Sequence, residues 1–222
     1  MFSVAIDGPS GAGKSSVSKE AAKRMGFIHI DTGALYRSLA YSAIKNKINI
    51  NDEISLKNML NMTKINIEFQ DGVQNVILNG ENVNDKIRTE EVSKGASDIS
   101  KIPMIRAFLL DLQRDLAREN NVVMDGRDIG TVVLPNADVK IFITASPEQR
   151  AERRYKELLA KGEKVVYNDI LEKLIYRDHQ DTHREIAPLK PCDDAVIIDT
   201  SDLDFSQSVN AVLDVIREKY ND

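Results

Sequence analysis

Short apolar runs rich in β-branched residues alternate with segments of helical periodicity along most of the chain. The apolar runs, which predict buried strands, lie at residues 2–6, 27–30, 122–124, 139–144 and 195–199. The helical segments lie at residues 15–25, 33–46, 104–119, 147–160, 169–184 and 206–220. Strands that alternate with helices favour a parallel sheet covered by helices on both faces. We therefore predict an α/β fold built on a five-stranded parallel sheet.

A long excursion at residues 39–100 interrupts this alternation. Inside it, short β-type runs at 64–69, 75–78 and 81–83 predict a small antiparallel meander. We place its turns at Gln70-Asp71-Gly72 and at Asn79-Gly80, because Asp-Gly and Asn-Gly pairs favour tight hairpin turns.

Acidic residues fall at or just past the ends of predicted strands. Asp7, Asp31 and Asp125 each occupy such a position. Right-handed crossovers bring the carboxyl ends of parallel strands to one edge of the sheet, where ligands bind. We therefore expect these carboxylates to belong to a site.

The charge of the chain disfavours binding to polynucleotides. Its 222 residues carry a formal net charge of −5 at pH 7, whereas proteins that hold nucleic-acid backbones usually present a net basic face. No apolar run approaches the roughly 20 residues of a membrane-spanning helix, and Asp7 comes too early for a secretory signal. We expect a cytoplasmic protein with one domain over residues 1–222 and with neither nucleic-acid nor membrane partners.

Residues 8–15, Gly-Pro-Ser-Gly-Ala-Gly-Lys-Ser, match the phosphate-binding loop pattern G-x-x-x-x-G-K-[ST] between a predicted strand and a predicted helix. The glycines let successive backbone N–H groups point into one concavity, to which the helix N-terminus adds partial positive charge. Lys14 can reach the β- and γ-phosphates of a nucleotide, and the Ser15 hydroxyl can ligate Mg²⁺. The loop predicts a nucleoside-triphosphate site.

Two further blocks indicate a second, phosphate-bearing substrate. Asp31 or Thr32 can cap the next helix, whose first turn carries Arg37 towards the strand ends. After the third core strand, Asp125 lies where an acidic residue would hold Mg²⁺ through water, and Arg127 projects from the same strand end. The planar fork of arginine suits phosphate, so Arg37 and Arg127 could clamp one phosphate from both sides.

The helical stretch 147–187 has the features of a closing lid. A polar break at 161–164 predicts a hinged pair of helices, and Arg177, Asp181 and Arg184 share one face of the second helix. The first helix carries further arginines, namely Arg150, Arg153 and Arg154.

The residues alone leave several functions open. A guanine-specific GTPase should carry Asn-Lys-x-Asp, and the nearest segment, Asn-Lys-Ile-Asn at 46–49, lacks the aspartate. A kinase for a small acceptor and a nucleotide-dependent switch without transfer chemistry both remain.

Five blocks in order along the chain resemble the bacterial cytidylate kinase family. They are the phosphate loop with its preceding Ile-Asp (6–15), Asp-Thr-Gly-Ala-Leu-Tyr-Arg (31–37), Ile-Arg-Thr-Glu-Glu-Val (87–92), Asp-Gly-Arg-Asp-Ile-Gly-Thr-Val-Val (125–133) and residues 177–189. The resemblance implies a P-loop NTPase fold, in which 39–100 is an enlarged nucleoside-monophosphate-binding insert and 147–187 is the lid. It also suggests a monomer.

The resemblance implies roles for individual residues. ATP phosphates would be held by Gly8, Pro9, Ser10, Gly11, Ala12, Gly13, Lys14, Ser15 and Ser16, and Mg²⁺ by Ser15 and Asp125. The acceptor set is Asp31, Thr32, Arg37, Ser97, Arg106, Arg127, Asp128, Arg177, Asp181 and Arg184. In this set, Thr32, Arg37 and Arg127 would meet the CMP phosphate, Ser97, Arg106 and Asp128 the cytosine, and Arg177 and Asp181 the ribose, with Arg184 near both substrates. We expect Lys14, Arg127, Arg154 and Arg184 to promote transfer.

The expected reaction is therefore transfer of the γ-phosphate of ATP to CMP or dCMP, giving ADP and CDP or dCDP. The alternatives are a kinase for another small acceptor, such as UMP, another nucleoside monophosphate or shikimate, and the nucleotide-dependent switch.

Overall fold

The computed structural model describes residues 1–70 and 73–220. The strands are β1 (Ser3–Asp7), β2 (Ile28–Asp31), β3 (Ile65–Gln70), β4 (Val73–Leu78), β5 (Glu81–Asn82), β6 (Val122–Asp125), β7 (Val139–Thr144) and β8 (Val196–Asp199). The helices are α1 (Lys14–Met25), α2 (Thr32–Lys45), α3 (Glu53–Asn61), α4 (Glu90–Ile99), α5 (Pro103–Glu119), α6 (Pro147–Ala160), α7 (Tyr167–His183) and α8 (Phe205–Tyr220). A π-helical segment, Ile129–Val133, follows β6.

Within the described residues, five strands form a parallel sheet in the order β2-β6-β1-β7-β8. The predicted parallel sheet is confirmed. Val4, Ala5 and Ile6 of the central strand β1 are at most 1% exposed, as expected of a sheet that is covered on both faces. Val4 and Ile6 pack towards α1 and α8, whereas Ala5 packs towards α5 and the π-helical segment. Successive side chains of a strand point to opposite faces, so one strand serves both layers.

The excursion between α2 and α5 contains the predicted meander. Strands β3, β4 and β5 pair antiparallel in that order. Asn79 and Gly80 both adopt positive φ, 51° and 86°, as a two-residue hairpin turn of this kind requires. The other predicted turn includes Asp71 and Gly72, which lie outside the described residues.

The same excursion also contains helices α3 and α4, which the sequence analysis did not predict. Each begins at a side-chain cap: Asp52 accepts a hydrogen bond from the Ile54 N–H (3.1 Å), and the Thr89 hydroxyl accepts one from the Val92 N–H (3.2 Å). Both helices bury apolar residues in one core with α2, β4 and α5. The excursion is therefore a mixed α/β unit packed on α2 rather than a meander alone.

The pair of helices predicted within residues 147–187 is present as α6 and α7. Gly162, with φ of 79°, lies in the polar break just after α6 ends. Leu158 and Ile170 then pack against each other's helix in a small apolar cluster. None of the helices in residues 1–70 and 73–220 has the length and apolarity needed to cross a bilayer.

Candidate functional site

A cavity of about 460 Å³ opens where β1, β2 and β6 end. Its walls come from the loop after β1, from α2 and α4 on one side and from α6 and α7 on the other. Among the described residues, nine Lys and Arg but five Asp and Glu line it. The whole chain carries a net charge of −5, so this local excess of positive charge favours an anionic ligand.

The loop after β1 has the backbone that phosphate binding requires. Gly8, Gly11 and Gly13 have φ of 147°, 78° and 83°, a region that side chains rarely adopt. At Gly8 a Cβ atom would also overlap the carbonyl oxygen of Ile143. Gly13 then forms the N-cap of α1, so the first N–H groups of that helix face the loop.

Lys14 is buried at the floor of the cavity. Its Nζ atom donates to the Pro9 carbonyl oxygen at 2.6 Å. Burial, together with the charge of Arg127, lowers the pKa of Lys14 well below its ordinary value. Burial disfavours the charged form of this amine, and an anion bound beside it would stabilise that form.

Asp125, at the end of β6, joins two elements of the site. Its Oδ2 atom accepts from the Ser15 hydroxyl and its Oδ1 atom from His29 Nε2, each at 2.7 Å. Burial acts to raise the pKa of Asp125, but these hydrogen bonds and the charge of Lys14 outweigh it and lower that pKa. The ionised carboxylate of Asp125 and the hydroxyl of Ser15 therefore lie side by side. Two such oxygen atoms are suitable ligands for Mg²⁺.

The two arginines predicted to bind the acceptor phosphate are each paired with a carboxylate. Arg37 Nη2 donates to Asp31 Oδ2 at 2.7 Å, and Arg127 Nε donates to Asp181 Oδ2 at 3.0 Å. Asp31 also caps α2 by accepting from the Ala34 N–H at 3.0 Å, which decides between the two cap candidates. These pairs hold both guanidinium groups at the cavity wall, where an incoming phosphate can compete for their remaining N–H groups.

Asp128 lies between two arginines at the far end of the cavity. Its Oδ2 atom pairs with Arg106 and its Oδ1 atom accepts from Arg184 Nη2 at 3.2 Å. The Arg106 and Arg184 side chains are only 10% and 4% exposed. Tyr36 lies beside this cluster, and burial raises the pKa of Tyr36 to about 12. A buried acceptor between two fixed donors can distinguish ligands by their hydrogen-bonding edge.

Two guanidinium groups of the cavity have an orphaned donor. Arg37 Nε and Arg177 Nε are buried and have no hydrogen-bond partner within the described part of the chain. Burial and the neighbouring charge of Arg127 lower the pKa of Arg177 to about 10. Unpaired buried donors of this kind are costly unless a ligand supplies the acceptor.

Most of the predicted site residues are brought together. The cavity is lined by Ser10, Gly11, Gly13, Lys14, Ser15, Ser16, Asp31, Thr32, Arg37, Ser97, Arg106, Asp125, Arg127, Asp128, Arg154, Arg177, Asp181 and Arg184. Gly8, Pro9 and Ala12 are not among the lining residues in the described part of the chain, although Pro9 holds Lys14. Thr32 donates its hydroxyl to the Asp125 carbonyl oxygen at 2.8 Å.

Several lining residues were missed by sequence reasoning. Ser93 and Ser100 lie on or beside α4 at the spacing i, i+7 around Ser97 and form one face towards the cavity. Since α4 was not predicted, nothing placed these serines on a common face, although the Thr89 cap could have revealed the helix. His29, which contacts Asp125 and is not among the lining residues in the described ranges, was missed as well, because a histidine inside a β-type run gives no sign of which carboxylate it contacts.

The family model for cytidylate kinase matches residues 4–218 of the chain. The chain belongs to this family. A cytidylate kinase of Caldicellulosiruptor bescii is 48% identical over 96% of the chain and 95% of that protein. One of Carboxydothermus hydrogenoformans is 45% identical over 97% of each. The crystal structure of an uncharacterized protein from Eubacterium ventriosum is 13% identical, with a TM-score of 0.51 over 100% of this chain and 99% of that one, and shares the fold. Membership of the family implies ATP as phosphate donor and a small nucleotide as substrate.

Proposed function

We propose that this protein transfers the γ-phosphate of ATP to CMP or dCMP, giving ADP and CDP or dCDP. The observation that carries the proposal is one cavity with a phosphate loop at one end and the Arg106–Asp128–Arg184 cluster at the other. Family membership supplies the reaction class, and this cluster is what would select the base.

The donor end would hold the triphosphate. Backbone N–H groups of the loop and of the first turn of α1 would face the phosphates, and Lys14 would neutralise charge at the β/γ bridge. Ser15 and Asp125 would hold Mg²⁺, because this ion takes few protein oxygens and completes its shell with water and phosphate. When bound, the ion neutralises the charge that develops on the phosphate oxygens.

The acceptor end would hold the monophosphate. Arg37 and Arg127 grip the CMP phosphate, helped by the Thr32 hydroxyl, and Asp31 and Asp181 keep the two guanidinium groups in place. A phosphate monoester has a second pKa of about 6, so its attacking oxygen is already an anion at neutral pH. Positioning and charge neutralisation by Lys14, Arg127, Arg154 and Arg184 then suffice for transfer.

Cytosine recognition would rest on Asp128, Arg106 and Ser97. Cytosine offers an amino donor at N4 and acceptors at N3 and O2. A carboxylate accepts from the first and a guanidinium donates to the others. Arg177 and Asp181 would contact the ribose, and the unpaired, buried Arg177 Nε supports this role because it is a donor that lacks an acceptor in the described part of the chain.

The excursion 39–100 and the helix pair 147–187 have complementary roles in this proposal. The excursion 39–100 forms the monophosphate side of the cavity through α4, and the 147–187 pair closes over the phosphates and excludes water. Arg150, at the base of α6, already spans to the phosphate loop through the Ser10 carbonyl oxygen at 2.8 Å. We propose a cytoplasmic monomer with one domain.

A coupled assay of ADP formation with a panel of acceptors tests the proposed function. ATP with CMP or dCMP should give rapid ADP release, whereas UMP, AMP and shikimate should give far less. Reactions without acceptor measure background hydrolysis. Rapid transfer to a different acceptor would make the protein a kinase of another specificity. Slow hydrolysis that no acceptor accelerates would favour a nucleotide-dependent switch.

Arg37→Ala and Arg127→Ala are expected to impair the use of CMP while leaving ATP binding nearly unchanged. Each should lower kcat/KM for CMP roughly ten- to a hundredfold, because hydrogen bonds to charged groups are worth about 1.5–3 kcal/mol. The Kd of ATP, measured by calorimetry without acceptor, should stay close to the wild-type value. The exposed Arg118→Ala on α5 is the matched control and should change neither quantity. If ATP binding weakens as much as CMP use, these arginines line the donor site instead.

A further inference from the structure

Asp7 ends β1 directly before the phosphate loop, yet it is not among the residues that line the cavity in the described ranges. It is only 4% exposed. Its Oδ1 atom accepts from the Ile129 N–H and its Oδ2 atom from the Gly130 N–H, both at 2.8 Å. These are the first two residues of the π-helical segment Ile129–Val133. Asp7 therefore binds the start of a segment on the acceptor side of the site.

The Gly130 N–H would ordinarily be satisfied by a different residue. The first N–H groups of a helical segment have no partner inside it, and a side-chain oxygen of the residue just before the segment commonly accepts from the second or third of them. Here that residue is Asp128, whose type is well suited to capping. Within the described residues, the Asp128 carboxylate makes no capping bond and instead pairs with Arg106 and Arg184. Asp7 supplies the cap from a separate strand.

The chain around Asp128 has little freedom to move in other ways. A Cβ atom at Gly126 would lie 2.6 Å from Ile129 Cδ1 and 2.7 Å from Thr32 Oγ1. At Gly130, a Cβ atom would lie 2.9 Å from Cys192 Sγ. The stretch is thus closely packed before and after Asp128. In this position the Asp128 carboxylate is directed towards Arg106 and Arg184 while Asp7 caps Ile129 and Gly130.

We propose that Asp7 is a positioning residue for acceptor specificity, because it caps residues 129 and 130 and so leaves the Asp128 carboxylate turned towards the base of an aminopyrimidine nucleotide. Without Asp7, the carboxylate nearest in sequence that can cap the Gly130 N–H is that of Asp128 itself. Its carboxylate would then turn to its own segment and release Arg106 and Arg184. This inference rests on the proposed function and deepens it.

The ionisation of Asp7 sets the conditions for a test. Burial raises the pKa of Asp7 to about 6, against the lowering effect of the Ile129 and Gly130 hydrogen bonds. Nearby Asp128 also raises it and Lys14 lowers it. An ionised carboxylate accepts from both N–H groups, whereas a protonated one has a hydroxyl in place of one acceptor. Assays near pH 8, about two units above this pKa, keep the cap complete.

The test compares kcat/KM for CMP and for UMP in Asp7→Ala and Asp7→Asn at saturating ATP. The CMP/UMP ratio is expected to fall about tenfold in Asp7→Ala, the effect of losing one helix cap. The fall should come mainly from a higher KM for CMP. Asp7→Asn keeps the volume and one acceptor oxygen, so it should show a smaller fall in the same direction. The Kd of ATP should change by less than about threefold, since the expected loss lies at the acceptor end.

Asp138→Asn is the matched control. Asp138 Oδ2 accepts from the Ser3 N–H at 2.7 Å and from the Ser3 hydroxyl at 2.9 Å, at the opposite end of the same strand β1. Its replacement removes comparable hydrogen bonds from β1 and should leave the CMP/UMP ratio unchanged.

The inference is overturned if CMP and UMP efficiencies fall in parallel in the Asp7 variants, because a purely structural role would do that. Loss of ATP affinity equal to the loss of CMP efficiency would also overturn it and assign Asp7 to the phosphate loop. If Asp7→Ala does not fold, the ratio in Asp7→Asn decides alone. A wild-type protein that does not transfer phosphate to CMP would refute the proposed function itself, and one that uses CMP and UMP equally would refute this inference alone. A preserved wild-type preference with an unchanged ratio in the variants would refute only the role of Asp7.

Discussion

Lys14→Ala should lower kcat for phosphate transfer to CMP by about 10²–10³-fold, the usual loss when one preorganised electrostatic donor is removed from a dry site. The amine is buried, faces the phosphate loop and is held by the Pro9 carbonyl oxygen. In the proposed function its charge would meet the bridge between the β- and γ-phosphates, where negative charge develops during transfer. Steady-state kinetics with ATP and CMP measure the effect.

The same variant should unfold at nearly the wild-type temperature. The pKa of Lys14 is lowered in the folded protein, chiefly by burial. A lysine whose pKa is lower when folded opposes folding at every pH where it is charged in the unfolded chain, which includes neutral pH. Removing it relieves this cost and offsets the lost packing. Thermal unfolding of the variant therefore distinguishes a chemical defect from a misfolded protein.

Lys19→Ala provides the control, since Lys19 is an exposed lysine on the same helix α1. It should keep both activity and unfolding temperature. Transfer activity of Lys14→Ala within threefold of wild type would contradict the assignment of the loop to the phosphate donor.

The fold was predictable wherever one residue pattern decides one element. The apolar run of β1 and the glycines of the loop determine a strand followed by a turn with positive φ, and both are observed. The Asn79-Gly80 turn was predictable for the same reason. Helix α4 was missed because Ser93, Gly95 and Ser97 weaken its helical pattern, and tertiary packing on α2 stabilises it instead.

Many of the side chains that line the cavity were predictable from the sequence, but the pairings among them were not. Strand ends and the arginine spacing indicated which side chains converge, because a parallel sheet brings its carboxyl ends together. The partners depend on distances across the fold that no local pattern encodes. His29 on Asp125 joins neighbouring strands, and Asp7 on Gly130 joins residues 123 positions apart. A carboxylate at a strand end can thus face a ligand or hold the loop that does.

Asp128→Ala should lower kcat/KM for CMP by roughly one to two powers of ten, since hydrogen bonds to charged groups are worth about 1.5–3 kcal/mol. The expected contact is between the Asp128 carboxylate and the N4 amino group of cytosine. UMP has a carbonyl oxygen at this position and no donor to offer. Its use should therefore decline much less, and the CMP/UMP ratio should fall. Parallel kinetics with both acceptors at saturating ATP measure this ratio.

The CMP/UMP ratio is a better measure of base recognition than activity alone, because Asp128 also contributes to the stability of the fold. Its loss leaves Arg106 and Arg184 buried without their carboxylate, and breaking a buried ion pair costs about 3–5 kcal/mol of stability. That cost reduces the folded fraction equally for both acceptors and cancels in the ratio. Asp128→Asn keeps an acceptor oxygen and the volume, so it should retain part of the preference for CMP. An unchanged ratio in Asp128→Ala would mean that Asp128 only orients arginines, and that the base is selected by other residues.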